Sequence, residues 1–360
     1  MTELRPGPGA PTAPIALTGG AAHATSHLPA PEPLAAGFAD RLRAACSEVI
    51  DDPGALAEAS RDWWPLAMIW ATEGQVGGLA QLVARPADTT EVAAVVALCN
   101  EAGVPVTAAG GRSSVVGGAV PVHGGVVLDL TRLSGIVGVD TTSMVVEVRA
   151  GTFGDAFEAE LQAAHGVTVG HWPQSMTLST VGGWLACRGA GQLSNRYGKI
   201  EDIVVGLEVV LADGQVVRTG GQPRQAVGPD LNQLFVGSEG TLGVITAAWL
   251  QAHPVPTHTA RAVYGFPTFA AALDAMRRTT QRGARPAVLR LYDEIESQRS
   301  FQTDGAVHVL LAHDEGDEGL VEAGMAVLAE ECAAAKPLDD GLVDHWFGHR
   351  NDVSALEALI

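Results

Sequence analysis

Four segments rich in Gly, Ser and Thr have the residue types that bind a phosphate-bearing ligand. They span residues 110–118, 170–184, 188–198 and 237–246. Glycine lets a backbone approach a ligand closely, and consecutive free N–H groups can form an anion-binding nest. The first segment has neither the Gly-Lys-Ser/Thr ending of a P-loop nor the GxGxxG spacing of a Rossmann fingerprint. Taken alone, it is equally compatible with a tight surface loop.

Several such loops converging on one elongated ligand suit a dinucleotide. Its pyrophosphate would take N–H and hydroxyl donors, and its rings would lie in apolar slots. The grouping of four segments therefore favours a nucleotide-binding site over isolated surface turns.

Two side chains, one inside the second segment and one further along the chain, are candidate catalytic residues. His171 could transfer a proton or donate a hydrogen bond, or it could be a histidine satisfied by backbone groups. Arg290 lies in an apolar stretch, and its guanidinium fork suits a carboxylate or phosphate, although a surface salt bridge is the simpler reading. His345 and His349 have i, i+4 spacing, but no third ligand is fixed, so no metal site is predicted.

Composition excludes several classes of partner. The 360 residues include 22 Lys+Arg and 41 Asp+Glu, giving a formal net charge of −19. That balance argues against nucleic-acid or anionic-membrane partners, which need a cationic face. No apolar run approaches the ~18 residues of a spanning helix. Four scattered cysteines without a CxxC pair fit a reducing compartment, so a cytoplasmic location is predicted.

The local patterns predict mixed helices and short strands. A capping-box-like start at residues 88–91 and a stop at Gly103 bound a helix. The strand 104–108 then leads into the first glycine segment. Asp213-Gly214 is a hairpin turn between two strands. This mixture is typical of an α+β fold and not of a regular parallel series.

Three regions follow from these patterns. Residues 1–37 contain few large apolar side chains and are predicted to be a flexible tail. Residues 38–255 form the first domain. A second domain, 256–360, contains strands near 259–264, 287–291 and 307–311 and helices near 268–281 and 319–334; it is expected to be incomplete at its C-terminus.

The order of the glycine-rich segments resembles the FAD-linked oxidases of the vanillyl-alcohol oxidase and para-cresol methylhydroxylase type. The resemblance covers residues 75–255, and its most specific part is 237–246, preceded by Gly-Pro-Asp at 228–230. Two stretches, 170–184 and 197–205, are most similar to alkyldihydroxyacetonephosphate synthase-like proteins. Residues 206–214 are shared with D-lactate and glycolate dehydrogenase relatives.

The resemblance implies an FAD-binding PCMH-type domain of two α/β subdomains followed by a ferredoxin-like cap. It implies non-covalent FAD, because the positions that carry a flavin-linking His or Cys in some relatives are Gly, Arg, Ser, Pro and Gln here. The cofactor-binding residues that it implies are Thr107, Ala108, Ala109, Gly110, Gly111, Arg112, Ser113, Pro173, Gln174, Ser175, Met176, Thr177, Leu178, Ser179, Gly182, Gly183, Ala186, Arg188, Gly189, Gly237, Ser238, Glu239, Gly240, Thr241, Leu242, Gly243 and Ile245.

The resemblance also implies an activity with alternatives. In the oxidoreductase reading, a hydroxy acid or alcohol delivers hydride to flavin N5 while Arg290 holds its anionic end. A redox-neutral transferase of the synthase type in ether-lipid synthesis is one alternative, and a flavin-binding fragment or pseudo-enzyme is another. The synthase's catalytic tyrosine and paired histidines have no counterpart in this sequence. The expected partner is a small molecule with a carboxylate or phosphate, and a homodimer is a candidate assembly.

Overall fold

The computed structural model describes residues 15–223, 225–303 and 307–349, with only the backbone of His349 included. Two larger sheets and two two-stranded pairs form the first domain, and one four-stranded sheet forms the second domain. Residues 1–14 of the predicted tail and residues 350–360 of the predicted second domain lie outside the described ranges.

The first subdomain is built on a four-stranded sheet in the order β2-β4-β6-β5, in which only β2 is antiparallel. Its strands are β1 (Thr25–Ser26), β2 (Val49–Ile50), β3 (Gln75–Val76), β4 (Leu82–Ala84), β5 (Val106–Ala109) and β6 (Val126–Asp129). Its helices are α1 (Phe38–Ala45), α2 (Pro53–Ala59), α3 (Pro65–Thr72) and α4 (Thr89–Ala102), with 3₁₀ turns at Ala21–His23 and Leu130–Arg132.

Helix α4 shows how the sequence positions the first glycine segment. The Asp88 carboxylate accepts a hydrogen bond from the Glu91 N–H, which caps the helix start. Gly103 ends the helix with a φ of 65°, a left-handed conformation that glycine adopts without strain. Val92 and Cys99 face the core and are fully buried. The chain therefore turns back directly into β5, which delivers residues 110–113 to the edge of the sheet.

The second subdomain is an antiparallel five-stranded sheet in the order β11-β10-β12-β8-β7, with a separate β9-β13 pair. Its strands are β7 (Ile136–Asp140), β8 (Val145–Arg149), β9 (Val167–Thr168), β10 (Val204–Val210), β11 (Val216–Arg218), β12 (Val244–Gln251) and β13 (His253–Pro254). Its helices are α5 (Gly154–Glu160), which continues into a π-helical turn at Leu161–His165, α6 (Val181–Ala186), α7 (Ser194–Tyr197), α8 (Ile200–Ile203) and α9 (Asn232–Phe235).

The second domain is a four-stranded antiparallel sheet in the order β15-β16-β14-β17. Its strands are β14 (His258–Phe266), β15 (Val288–Leu291), β16 (His308–Gly316) and β17 (Lys336–Pro337), and its helices are α10 (Phe269–Gln281), α11 (Glu294–Phe301), α12 (Glu318–Glu331) and α13 (Leu342–His349). Helices α10 and α12 pack on one face of this sheet. The strand order and alternating helices are those of a ferredoxin-like cap, so the predicted α+β fold, with two subdomains and a cap, is confirmed.

The prediction of a flexible tail is wrong for residues 15–37. Leu17 is buried, and β1 pairs in parallel with β3. The His27 ring stacks on the Trp70 ring at 4.3 Å between centroids. Main-chain hydrogen bonds hold this segment, including those from the Thr25 and His27 N–H groups to the Gly74 and Val76 carbonyls. A segment with few large apolar residues can still order when a neighbouring strand satisfies its backbone.

In the described ranges, no helix combines the length and the apolar character needed to cross a membrane.

The buried position of Leu17 yields a stability prediction. Leu17→Ala should lower the free energy of unfolding by about 2–3 kcal/mol, because it removes buried methyl groups and leaves a cavity. The same substitution at Leu231, which is 48% exposed, is the matched control and should change stability by less than about 0.5 kcal/mol. Chemical denaturation followed by circular dichroism measures both. Equal effects of the two variants would show that residues 15–28 do not contribute to the core.

Candidate functional site

Two of the glycine-rich segments meet with their backbones in contact. A Cβ atom built on Gly111 would overlap the carbonyl oxygen of Leu178, and one built on Gly110 would overlap the hydroxyl of Thr180. Only glycine fits at position 111, because the obstruction there is main chain. A side chain at position 110 would displace the Thr180 hydroxyl. The end of β5 is thereby held against the turn that precedes α6, which joins the two subdomains.

The last glycine-rich segment, residues 237–246, packs on the end of α6. The Gly237 N–H donates to the Leu185 carbonyl at 2.9 Å, and the Glu239 N–H donates to the Ala186 carbonyl at 3.0 Å. A Cβ on Gly240 would lie 3.4 Å from the Cβ of Ala108, so this loop also reaches β5. Residues 107–113, 173–189 and 237–243 therefore enclose one region between the two sheets.

Backbone strain is concentrated in these loops. Five non-glycine residues in the described chain have positive φ, and three of them are Arg112 at 54°, Arg188 at 56° and Glu239 at 48°. Such conformations are costly for residues with a Cβ and tend to occur where function requires a particular loop shape. Each of the three converging loops contains one of these residues.

Two arginines share one carboxylate beneath the first loop. Asp129, at the end of β6, lies 3.3 Å from an Nη of Arg112 and 3.6 Å from the Nε of Arg85. All three side chains are largely buried. The Nε of Arg112 has no hydrogen-bond partner in the described chain. Arg85 is also paired with the Glu48 carboxylate at 2.9 Å, so the group left free for an anionic ligand is the Nε–H of Arg112.

The turn before α6 is fixed by side-chain hydrogen bonds. The Ser179 hydroxyl accepts from the Trp184 indole N–H at 2.7 Å, and Trp184 is buried. The Thr180 hydroxyl caps α6 by accepting from the Gly183 N–H at 3.3 Å. These contacts leave Gly182 and Gly183 in the first turn of α6, close to the meeting point of the loops.

His171 lies behind the same turn and is fully buried. Its ring packs against Trp184 with 4.8 Å between centroids, and neither ring nitrogen has a hydrogen-bond partner in the described chain. Burial lowers its pKa to about 4, so the imidazole is neutral at neutral pH. The alternative of a histidine satisfied by backbone groups does not hold for the described residues.

Arg290 comes from the cap. It lies on β15 opposite Leu311, on the sheet face that contacts the first domain through Leu193 and Trp172. Its guanidinium carbon is 5.2 Å from the centre of the Trp346 ring, a cation–π contact. The Trp346 indole N–H donates to the Tyr292 hydroxyl at 2.5 Å. The arginine is therefore held by aromatic groups on the face directed at the first domain.

Most of the predicted cofactor-binding residues share this region, but their side chains differ in setting. Met176 and Ile245 are buried, so only their backbones are available, whereas Leu242 is 49% exposed. Arg188 directs its guanidinium to Glu201 and Gln233, at 3.3 and 3.2 Å. No group of His, Cys, Asp or Glu in the described ranges is placed to hold a metal ion.

Sequence reasoning missed the supports of the site. Asp62 is fully buried and accepts hydrogen bonds from the Trp64 and Ala119 N–H groups, which fixes the end of the first glycine segment. Asp129 and Trp346 were likewise not identified. None of the three belongs to a local motif, because each acts through residues distant in sequence. Only one feature of the sequence indicated Asp62, which is its position shortly before Pro65, the proline that starts α3.

The donor set fits FAD. An unpartnered buried guanidinium nitrogen and closely packed glycine backbones lie where a pyrophosphate would bind. Residues 173–183 and 237–243 would enclose the remaining length of the dinucleotide. The fold and this site define a flavin-binding protein with a separate cap domain.

Comparison with known protein families agrees with an FAD site. Residues 80–220 match the family described as FAD binding domain, and residues 255–343 match the C-terminal domain of FAD linked oxidases. The chain therefore contains an FAD-binding domain followed by the C-terminal domain found in FAD linked oxidases, and its cofactor is FAD.

Individual relatives have different activities. The alkyldihydroxyacetonephosphate synthase of Dictyostelium discoideum is 35% identical over 231 residues, covering 63% of this chain and 38% of the synthase. The glycolate oxidase subunit GlcD of Bacillus subtilis is 35% identical over 184 residues, covering 51% of this chain and 39% of the subunit. A solved alkyldihydroxyacetonephosphate synthase superposes with a TM-score of 0.80 at 27% identity, covering 93% of this chain and 68% of that one. The chain spans about two fifths of the length of these two curated relatives.

The contact at Gly111 yields a prediction about cofactor binding. Gly111→Ala should weaken FAD binding about tenfold or more, since the new methyl group displaces the turn at residues 178–180. Gly138→Ala is the control, because a Cβ there meets nothing within 4 Å. Titration of FAD into apoprotein, followed by protein fluorescence, measures both. Unchanged affinity in Gly111→Ala would show that this contact does not shape the FAD site.

The buried imidazole yields a prediction about pH. A histidine whose pKa falls from 6.5 to about 4 on folding contributes stability above its unfolded pKa that is lost as pH falls towards the folded one. Between about pH 7 and about pH 4, the wild type should lose up to about 3 kcal/mol more stability than His171→Leu. Urea titrations of the two proteins at both pH values test this. Parallel losses would show that His171 is not held neutral.

Proposed function

We propose that the protein is an FAD-dependent oxidoreductase that oxidises a small hydroxy acid or alcohol bearing an anionic group. The observation that carries this proposal is the position of Arg290. Its strand belongs to an apolar cluster that also includes Trp172, which joins His171 to the turn at residues 173–180. The shared apolar cluster supports a position for this cationic fork on the side of the cap nearest the FAD loops.

The proposed roles follow from chemistry at each position. Arg290 would bind the carboxylate or phosphate of the substrate and orient the carbinol carbon. When bound, FAD supplies the acceptor for a hydride at its N5 atom. His171, enclosed and neutral, would hold a hydrogen bond at the loops instead of exchanging protons with solvent. Both residues remain proposals, as do the contacts of the individual cofactor-binding residues.

Non-covalent FAD binding is part of the proposal. The positions at 110–114 and 173–175 carry no His or Cys that could form a bond to the flavin. Heat or acid precipitation of the purified protein should release the flavin into the supernatant. Flavin that stays with the precipitate would contradict this part.

Anaerobic mixing with candidate substrates tests the activity. D-lactate, glycolate and related hydroxy acids are added to the FAD-loaded protein, and the visible flavin absorbance is followed. Bleaching by one of them supports the oxidoreductase. An absence of bleaching by all hydroxy acids and alcohols tried, in protein that retains FAD, would count against it.

A redox-neutral transferase is the second candidate. It is favoured by the superposition with alkyldihydroxyacetonephosphate synthase over 93% of this chain. Incubation with an acyl-dihydroxyacetone phosphate and a labelled fatty alcohol would then give an ether product without net bleaching. Inertness in both assays, with FAD bound, would leave a flavin-binding protein without catalysis.

Substitution of Arg290 distinguishes substrate binding from cofactor binding. Arg290→Ala should reduce the rate of bleaching at low substrate at least about tenfold, because a charge-assisted bidentate contact is lost. Arg290→Lys should retain part of the rate. The FAD content of both variants should equal that of the wild type. Loss of FAD in Arg290→Ala would show that the arginine belongs to the cofactor site.

Assembly and location are further parts of the proposal. The four cysteines are all unpaired in the structure, which supports a reducing compartment such as the cytoplasm. A homodimer stays a prediction, and sedimentation of the FAD-loaded protein would test it.

A further inference from the structure

A second cleft lies between the two domains, away from the flavin loops. Its volume is about 520 Å³. One wall comes from α7 and β13 of the first domain, and the other comes from α12, the end of β16 and the turn before β15. None of the residues predicted to bind FAD lines it. We call it the α7–α12 cleft.

The cap wall of this cleft is an apolar stripe on α12. Leu320, Ala323, Gly324 and Val327 recur at i, i+3, i+4 and i+7 and line the cleft. A different stripe on the same helix, which includes Val321 and Leu328, packs on the sheet. The cleft stripe is not needed for that packing, and Leu320 remains 67% exposed.

Gly324 keeps the cleft open. A glycine inside a helix is destabilising relative to alanine. A Cβ at this position would meet one atom within 4 Å, a carboxylate oxygen of Asp314 at 3.6 Å, which is an ordinary contact. The helix therefore has room for a side chain here, and a larger one would project into the cleft.

The residues that line the polar end of the cleft carry one net positive charge, from Arg196 and Arg285 against Asp314. The adjacent Glu315 carboxylate is outside this lining and accepts a hydrogen bond from the Tyr197 hydroxyl at 2.7 Å. Asp314 is buried and is compensated by Arg196, at 2.7 Å, and by the N–H groups of Ala287 and Glu315. Arg285 is exposed and has no partner among the described residues. His253 packs on the Tyr197 ring, and both burial and the charge of Arg196 lower its pKa, so it adds no charge at neutral pH. Arg285 is thus an uncompensated cation on a chain of net charge −19.

We propose that the α7–α12 cleft binds a small amphipathic anion, a carboxylate or phosphate monoester on a short alkyl chain. The anionic head would lie at Arg285 and the outer edge of Arg196, and the alkyl chain would lie along the apolar stripe of α12. Because the walls belong to different domains, a bound anion stabilises one position of the cap over the FAD site. This site is independent of the proposed oxidoreductase activity.

Calorimetric titration of the FAD-loaded, full-length protein tests the ligand class. Hexanoate and hexyl phosphate are the probes, acetate and inorganic phosphate test the head alone, and hexylamine tests the sign of the charge. At least one hexyl anion should bind with one-to-one stoichiometry, about tenfold or more tighter than its head alone. Tighter binding of hexylamine than of both hexyl anions, or no binding of either anion, would overturn the proposal.

Matched variants test the location. Gly324→Leu fills the cleft and Arg285→Ala removes the cation, so each should weaken hexyl-anion binding about tenfold or more. Ala326→Leu adds the same side chain to an exposed position of α12 outside the cleft and should not change the affinity. Arg290→Ala should also leave it unchanged. Binding that survives Gly324→Leu, or that is lost in Arg290→Ala, would place the anion elsewhere. Circular dichroism confirms that each variant is folded.

Discussion

The backbone of Gly111 lies against the Leu178 carbonyl, and Gly110 lies against the Thr180 side chain; this contact joins the two main sheets of the FAD-binding domain. The contact requires that the end of β5 and the start of α6 lie directly opposite each other. The first condition depends on the capped helix α4, and the second depends on the hydrogen bonds that Ser179 and Thr180 make with α6. The loop at 237–243 then closes the region by bonding to the end of α6. The FAD site is therefore a property of main-chain geometry first and of side chains second.

A ring of polar bonds around an apolar centre holds the cap in place. Leu193 of the first domain lies in the centre, against the cap sheet. Around it, Arg196 pairs with Asp314, Tyr197 donates to Glu315 at 2.7 Å, and Asn195 donates to the Pro286 carbonyl at 2.6 Å. Burial raises the pKa of Asp314, and the adjacent guanidinium opposes that rise. These directional hydrogen bonds and ion pairs fix the orientation of the cap on the first domain. Apolar contacts alone are not directional and would not fix it.

Much of the fold could be predicted because its signals are local. The α4 boundaries, the Asp213-Gly214 hairpin and the alternating strands and helices of the cap all follow from spacing and capping residues. The cap strand predicted at 307–311 continues to Gly316, because its pairing with β14 supplies partners beyond the apolar core of the pattern. The ordering of residues 15–37 could not be predicted, since it depends on a strand about fifty positions further along the chain.

The site was predictable only in outline. Glycine-rich spacing identified the loops, but not that Asp129 would serve two arginines or that Trp346 would lie over Arg290. Those contacts join residues 17 to 56 positions apart and leave no periodic trace. Burial of His171 without a partner could not be predicted from the local pattern either, because it results from packing against Trp184 and beside the backbone of Gly189 and Gly191.

The order of the cap sheet has an evolutionary consequence. β15, which carries Arg290, is an edge strand of a sheet separate from both sheets of the FAD-binding domain. A residue at such a margin can be exchanged without disturbing the interior, whereas the glycine backbones that touch across the cofactor region allow almost no variation. With the proposed role of Arg290, proteins of this architecture can change their substrate preference through residues of the edge strand β15. The backbone that binds FAD stays the same.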